Sequence, residues 1–152
     1  MPKAELERLF PNLQGSRYSI ESERTDTYNC VAWAAGITDK WWWPEDTGFW
    51  PVEPKVPTVE SFVAAFKTLS YEPCDSPKLE AGYEKVAIYV GSAGFPTHVA
   101  RQLNTGAWTS KLGDLEDITH ALAGLEGPVY GRVEQILRRL KPDATTLPAN
   151  SA

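Results

Sequence analysis

Residues 85–112 read Lys-Val-Ala-Ile-Tyr-Val-Gly-Ser-Ala-Gly-Phe-Pro-Thr-His-Val-Ala-Arg-Gln-Leu-Asn-Thr-Gly-Ala-Trp-Thr-Ser-Lys-Leu. Val86 to Val90 is rich in β-branched and aromatic residues, and Gly91 closes the run, which is the signature of a strand. His98 to Leu103 is a second such run, Asn104-Thr105-Gly106 supplies a hairpin turn, and Ala107 to Leu112 is a third strand. Side chains alternate across a strand, so residues 98, 100 and 102 face one side and, through the turn, 108, 110 and 112 share it. Ser110 therefore falls within reach of His98.

Toward the N-terminus, Leu6, Leu9 and Phe10 stand at helical spacing over residues 4–10 until Pro11 stops the run. In Tyr28-Asn29-Cys30-Val31-Ala32-Trp33-Ala34-Ala35-Gly36, Asn29 is suited to N-cap a short buried helix and Gly36 to end it, which puts Cys30 in its first turn. Residues 37–57 hold Trp41-Trp42-Trp43-Pro44, Phe49-Trp50-Pro51, Pro54 and Pro57. Prolines at that density exclude a long helix or central strand, so the segment reads as an ordered loop packed by its own aromatics, with at least two of Trp41 to Trp43 buried. Thr58 caps a helix running to about Leu69, with Val59, Phe62, Val63, Phe66 and Leu69 on one stripe.

Beyond the meander, acidic residues at the start of 114–125 predict a short helix, with His120 on its surface or at a cap. Residues 129–140 carry helical spacing at Val133, Ile136, Leu137 and Leu140 but a strand-like opening. Residues 141–152 are expected to be a disordered polar tail. Helices first and a meander after them give an α+β class with one domain over residues 1–140.

At 152 residues the chain suits a single core that buries about 70% of its unfolded surface. With 42% hydrophobic and 23% charged residues it lacks the composition of a disordered chain. Its two cysteines and two histidines show no C-x-x-C or H-x-x-x-H spacing and cannot staple a disulfide scaffold, so neither a metal nor another cofactor is expected. A net charge of -5 argues against nucleic acid as a partner. The N-terminus has no apolar signal core, and no stretch approaches a membrane span, so a cytoplasmic place without membrane contact is expected; export without a cleavable signal leaves no mark in a sequence.

A thiol at a helix start feels the positive end of the dipole, and an imidazole beside it takes and returns a proton. Cys30 and His98 are the pair placed for that chemistry, with the Cys30 N–H as an oxyanion donor. The group that orients His98 is Ser110, Asp114 or Asp117. Tyr28, Asn29, Trp43 and Trp108 are the candidates for contacting substrate. The plainer reading makes Cys30 a packing residue, His98 a hydrogen-bonded structural imidazole and Cys74 an inert loop thiol. Arg101 and Lys111 are either solvated or hold an acidic substrate group.

The strings Tyr-Asn-Cys-Val-Ala-Trp-Ala-Ala-Gly, Trp-Trp-Trp-Pro, Pro-Thr-His-Val-Ala-Arg-Gln-Leu and Trp-Thr-Ser-Lys-Leu-Gly-(x2)-Glu-Asp-Ile-(x)-His resemble an uncharacterised bacterial family of short proteins across residues 28–131. More distantly, the order helix-cysteine, strand-histidine, third polar group is similar to NlpC-type and CHAP-type papain-like cysteine peptidases, although Trp108 to Lys111 offers no His, Asn or acid. That resemblance implies a papain-like α+β fold with Cys30 as nucleophile and His98 as base. It implies a thiol hydrolase or acyltransferase acting on an amide, isopeptide or ester bond in a peptide, peptidoglycan-like or protein substrate. The alternative is a non-catalytic binding or interaction protein that uses the Trp-rich loop on the same fold, and a third reading is an accessory protein of a bacterial conflict or toxin system.

Overall fold

A computed structural model describes residues 2–45, 49–113 and 115–141. The elements in chain order are α1 (Lys3–Leu9), a 3-10 turn (Pro11–Leu13), β1 (Tyr18–Ile20), α2 (Cys30–Ala34), α3 (Val59–Lys67) and β2 (Glu72–Cys74). They are followed by β3 (Tyr83–Val90), β4 (Pro96–Gln102), β5 (Trp108–Lys111), β6 (Asp117–His120), a second 3-10 turn (Leu122–Leu125) and β7 (Arg132–Leu140). The strands form one seven-stranded sheet in the order β1-β6-β5-β4-β3-β7-β2, and every pairing is antiparallel. This is an α+β architecture: β3 to β6 form the meander, β7 returns to the far side of β3, and the three-residue strands β1 and β2 close the edges.

Alternation along the strands sorts the core into two layers. On one face, α2, α3 and the aromatics Trp42 and Trp50 pack on Val86, Ile88, Val99 and Leu137. On the other, Leu6, Phe10 and Leu13 from the N-terminal turns pack with Ala87, Tyr89, Ala100, Trp108, Ile118 and Leu125. Because both faces are covered, Val86 to Val90 are buried without alternation, as in a strand enclosed on both sides.

Both helix caps follow the sequence. The Thr58 hydroxyl accepts from the Ser61 amide at 3.1 Å. Asn29 does more than cap. Its Oδ1 accepts from the amides of Ala32 at 3.1 Å and Trp42 at 3.0 Å, and its Nδ2 donates to the Trp42 carbonyl at 2.8 Å. One side chain thus starts α2 and anchors the Trp-rich loop. Trp42 is buried, and Trp43 packs edge-on against Phe62 with ring centroids 5.4 Å apart. Trp41 stays 42% exposed.

Two segments differ from expectation. Residues 117–120 are not helical: they form β6 between β5 and β1, with Ser110 opposite Ile118 and Ile118 opposite Ile20. Glu116 and Asp117 imitate an acidic helix start, but pairing on both sides and burial of Ile118 and His120 outweigh that weak local preference. Only Leu122–Leu125 turns helically, as 3-10. The segment that read two ways is strand from 132 to 140, bonded along its length to β3. The predicted polar tail, apart from Lys141, lies outside the described residues, as does Asp114. Among the described residues no helix is long and apolar enough to cross a membrane.

Replacing Asn29 by Ala removes the cap and leaves both Trp42 backbone groups buried without partners. The expected loss is about 3 kcal/mol, read as a fall in Tm of about 10 °C by calorimetry.

Candidate active site

Cys30 is the first residue of α2 and is 7% exposed. The β4–β5 ladder covers only Arg101↔Thr109 and Gln102↔Trp108, so it does not take up the Val99 amide. That amide is directed at the Cys30 sulfur instead, together with those of Val31 and Cys30 itself. Burial nevertheless pushes the thiol up to about 11, while these amides and the Lys111 ammonium pull it down less strongly. The expected thiolate at a helix start is therefore corrected: α2 has five residues, and its dipole does not offset the loss of water around the sulfur.

Lys111 is buried, not solvated. Its Nζ donates to the carbonyls of Thr25 and Gly113, each at 2.6 Å, and lies 5.4 Å from the Tyr28 ring centroid. It ties the segment leading into Asn29 to the end of β5.

His98 has no exposed surface and shares a strand face with Ala100, opposite to that of Val99. Tyr130 stacks on its ring at 4.0 Å with 11° between planes, and Tyr89 meets it edge-on at 5.2 Å. Its Nε2 lies 2.8 Å from Ser110 Oγ, which lies 2.7 Å from His120 Nε2. The His120 Nδ1–H donates to the Ala121 carbonyl at 2.7 Å. Among the described residues His98 Nδ1 has no hydrogen-bond partner. No hydrogen bond joins Cys30 to His98. The Val99 amide that faces the sulfur belongs to the residue next after His98 in β4.

Burial holds His98 well below its ordinary value, helped by repulsion from His120. Burial likewise lowers His120, to about 4, against the bond to Ala121. The resting thiol and both imidazoles are neutral at pH 7.

Of the three groups considered as the orienter of His98, Ser110 touches it. Asp117 lies on the other face, where its Oδ2 accepts from the Tyr28 hydroxyl at 3.1 Å, and Tyr28 stacks on Trp33 at 5.4 Å. Arg101 sits over the Trp33 ring at 5.4 Å. Tyr28 and Asn29 adjoin Cys30 in the chain, whereas Trp43 is taken up by Phe62. Trp108 is buried in the second core; with Arg17, Tyr18, Thr119 and His120 it lines a cavity of about 540 Å³. Cys74 ends β2 and is half-buried, its thiol directed at the Ser76 carbonyl at 3.6 Å.

His120 was assigned to a helix surface by its sequence. It is a buried strand residue, and the signal that reveals it is the alternation of Ile118 and His120 beside β5. Among the described residues no three His, Cys, Asp or Glu side chains cluster as metal ligands.

The molecule is thus an α+β protein in which a buried thiol and a buried imidazole chain meet at one strand. Residues 19–138 match a family described as a domain of unknown function (DUF7689), and the chain belongs to that family. No curated protein and no solved structure matches it.

Both histidines stay neutral in the fold while the unfolded chain protonates them near 6.5. Stability is therefore fully present above about pH 6.5 and falls as the unfolded state takes up protons below it. His120, with its folded value near 4, accounts for about 3 kcal/mol of loss by pH 4. Denaturant titrations across pH 4–7 check this, and His120→Phe is expected to flatten the slope.

Proposed function

We propose that the protein is a thiol hydrolase or acyltransferase of papain-like architecture, acting on an amide, isopeptide or ester bond of a peptide, peptidoglycan-like or protein substrate. Cys30 is the nucleophile and His98 the base. The observation that carries this reading is an unpartnered ring nitrogen, His98 Nδ1, on the residue whose next peptide amide faces the Cys30 sulfur. A buried polar atom left without a partner calls for an explanation, and His98 Nδ1, unlike the equally unpartnered Trp42 Nε1 and Tyr71 hydroxyl, belongs to a ring that takes and returns protons.

In the reaction, Cys30 Sγ forms a bond to the substrate carbonyl carbon as its proton passes to His98 Nδ1. Because thiol and imidazole rest neutral, proton transfer accompanies attack and no ion pair precedes it. The N–H groups of Cys30 and Val31, first in a helix and without intrahelical acceptors, face the developing oxyanion. The leaving amine or alcohol departs with the proton from Nδ1 and leaves a thioester. Water or an amine then attacks that thioester, gives its proton to Nδ1, and the proton returns to Cys30 as the acyl group leaves.

Entry of a substrate requires displacement of the segment over His98. Tyr130 is held there by a 2.6 Å bond from the Thr97 hydroxyl to its carbonyl and by the Gly127↔Gly131 bridge. Gly131 has φ +82°, and a Cβ there would lie 1.8 Å from the Val90 carbonyl oxygen, so the return into β7 accepts only glycine.

A second reading has its own observation: Cys30 and His98 are both buried, while Trp41 and Phe49 of the Trp-rich loop stand 42% exposed. That surface suits a binding protein. Peptide-resolved iodoacetamide labelling separates the two. On the hydrolase reading Cys30 is alkylated about 10²-fold faster than in His98→Ala, the lower range of general-base assistance. Equal rates in the two proteins would sink the enzyme and leave the binding surface, whose loss in Trp41→Ala is then the test.

A further inference from the structure

We infer that His120, acting through Ser110, is a positioning residue that fixes His98 in the Nε2–H form and so keeps its Nδ1 as the proton acceptor. The inference deepens the hydrolase reading and rests on it only for the consequence at Cys30. Its basis is the donor and acceptor arithmetic of one buried chain.

The chain begins at the Ala121 carbonyl, which only accepts. His120 Nδ1, 2.7 Å away, therefore carries a hydrogen. A neutral imidazole has one N–H, so His120 Nε2 is bare. Ser110 Oγ lies 2.7 Å from that bare nitrogen and must donate its single hydrogen to it. Toward His98 the same oxygen offers only a lone pair, so His98 Nε2, at 2.8 Å, must be the donor. Neutral His98 then has no hydrogen on Nδ1, the one ring atom of the chain without a partner.

A serine hydroxyl alone does not choose a direction, because it donates or accepts equally well. His120 breaks that symmetry, and it is itself directed by a backbone carbonyl that cannot reverse. The stacking of Tyr130 and the edge contact of Tyr89 hold the His98 ring against a flip that would exchange its nitrogens. Burial keeps both rings neutral near pH 7, the condition under which the counting holds.

The test is nitrogen-15 NMR of the full chain labelled at histidine, read beside the iodoacetamide rate at Cys30. In the unaltered protein, His98 Nδ1 and His120 Nε2 are expected to resonate as bare nitrogens, and the other two as protonated ones. In His120→Phe the Ser110 hydroxyl loses its fixed direction and donates to His98 Nε2 as readily as it accepts. The Nδ1–H form is then populated beside the Nε2–H form, and Cys30 alkylation falls in proportion to the bare Nδ1 lost, by about twofold where the two forms are equal. In the double variant His120→Phe, Ser110→Ala, nothing remains to donate to Nε2. The Nε2–H resonance pattern of the unaltered protein is expected to return, and the alkylation rate with it.

A proton on His98 Nδ1 in the unaltered protein overturns the inference, whether or not the variants fold. So does His120→Phe with an unchanged His98 tautomer. If the tautomers respond as stated but Cys30 never reacts faster than in His98→Ala, the relay stands and the hydrolase reading falls.

Discussion

The placement of α2 and of the Trp-rich loop against the sheet depends on the Asn29 carboxamide. A five-residue helix does not hold itself in water, since nucleation alone is unfavourable at that length. α2 exists because Asn29 satisfies its Ala32 amide and because Val31, Ala32 and Ala34 are buried on the sheet. The remaining capacity of the same carboxamide is spent on both backbone groups of Trp42. Helix start and aromatic loop are therefore set jointly, and the Cys30 sulfur is delivered to the Val99 amide by the same constraint. Trp42, Trp50 and Phe62 then close that layer by ring contacts of 4.9 to 6.4 Å.

The second layer holds its polar groups on different terms. Ser110, His98 and His120 have no exposed surface, and a buried polar group is stable only if hydrogen-bonded. The chain from the Ala121 carbonyl to His98 Nε2 meets that requirement at each link. The low dielectric that strengthens those bonds also opposes charge on any member. The same physics raises the Cys30 thiol and lowers both imidazoles, so all three groups rest neutral near pH 7.

Much of this was legible in local sequence. The strands within 85–112 carry β-branched and aromatic runs and a turn with glycine, and the contact of Ser110 with His98 follows from the alternation of side chains across that hairpin. Both caps, Asn29 and Thr58, are local hydrogen bonds. What escaped depends on distant partners. Residues 117–120 look acidic and helical until β5 and β1 pair with them, so His120 was misplaced with them. β1 and β2, three residues each, are too short to show a period. The spacing of Val133, Ile136 and Leu137 suits a helix, and only the ladder to β3 decides otherwise. That the Val99 amide faces the Cys30 sulfur was hidden for a related reason. Strand parity is readable in sequence, but which face a helix covers is not.

The two short edge strands determine what the sheet does not do. A long meander with buried central strands ordinarily ends in a row of open amides and carbonyls onto which another chain can add. Here each end presents only three residues, and at one of them Pro73 in β2 has no N–H to give. An incoming strand would find too little ladder to grip, so the sheet resists growth by edge-to-edge stacking, a protection against fibre-like association that is written into its outline and not into its charge.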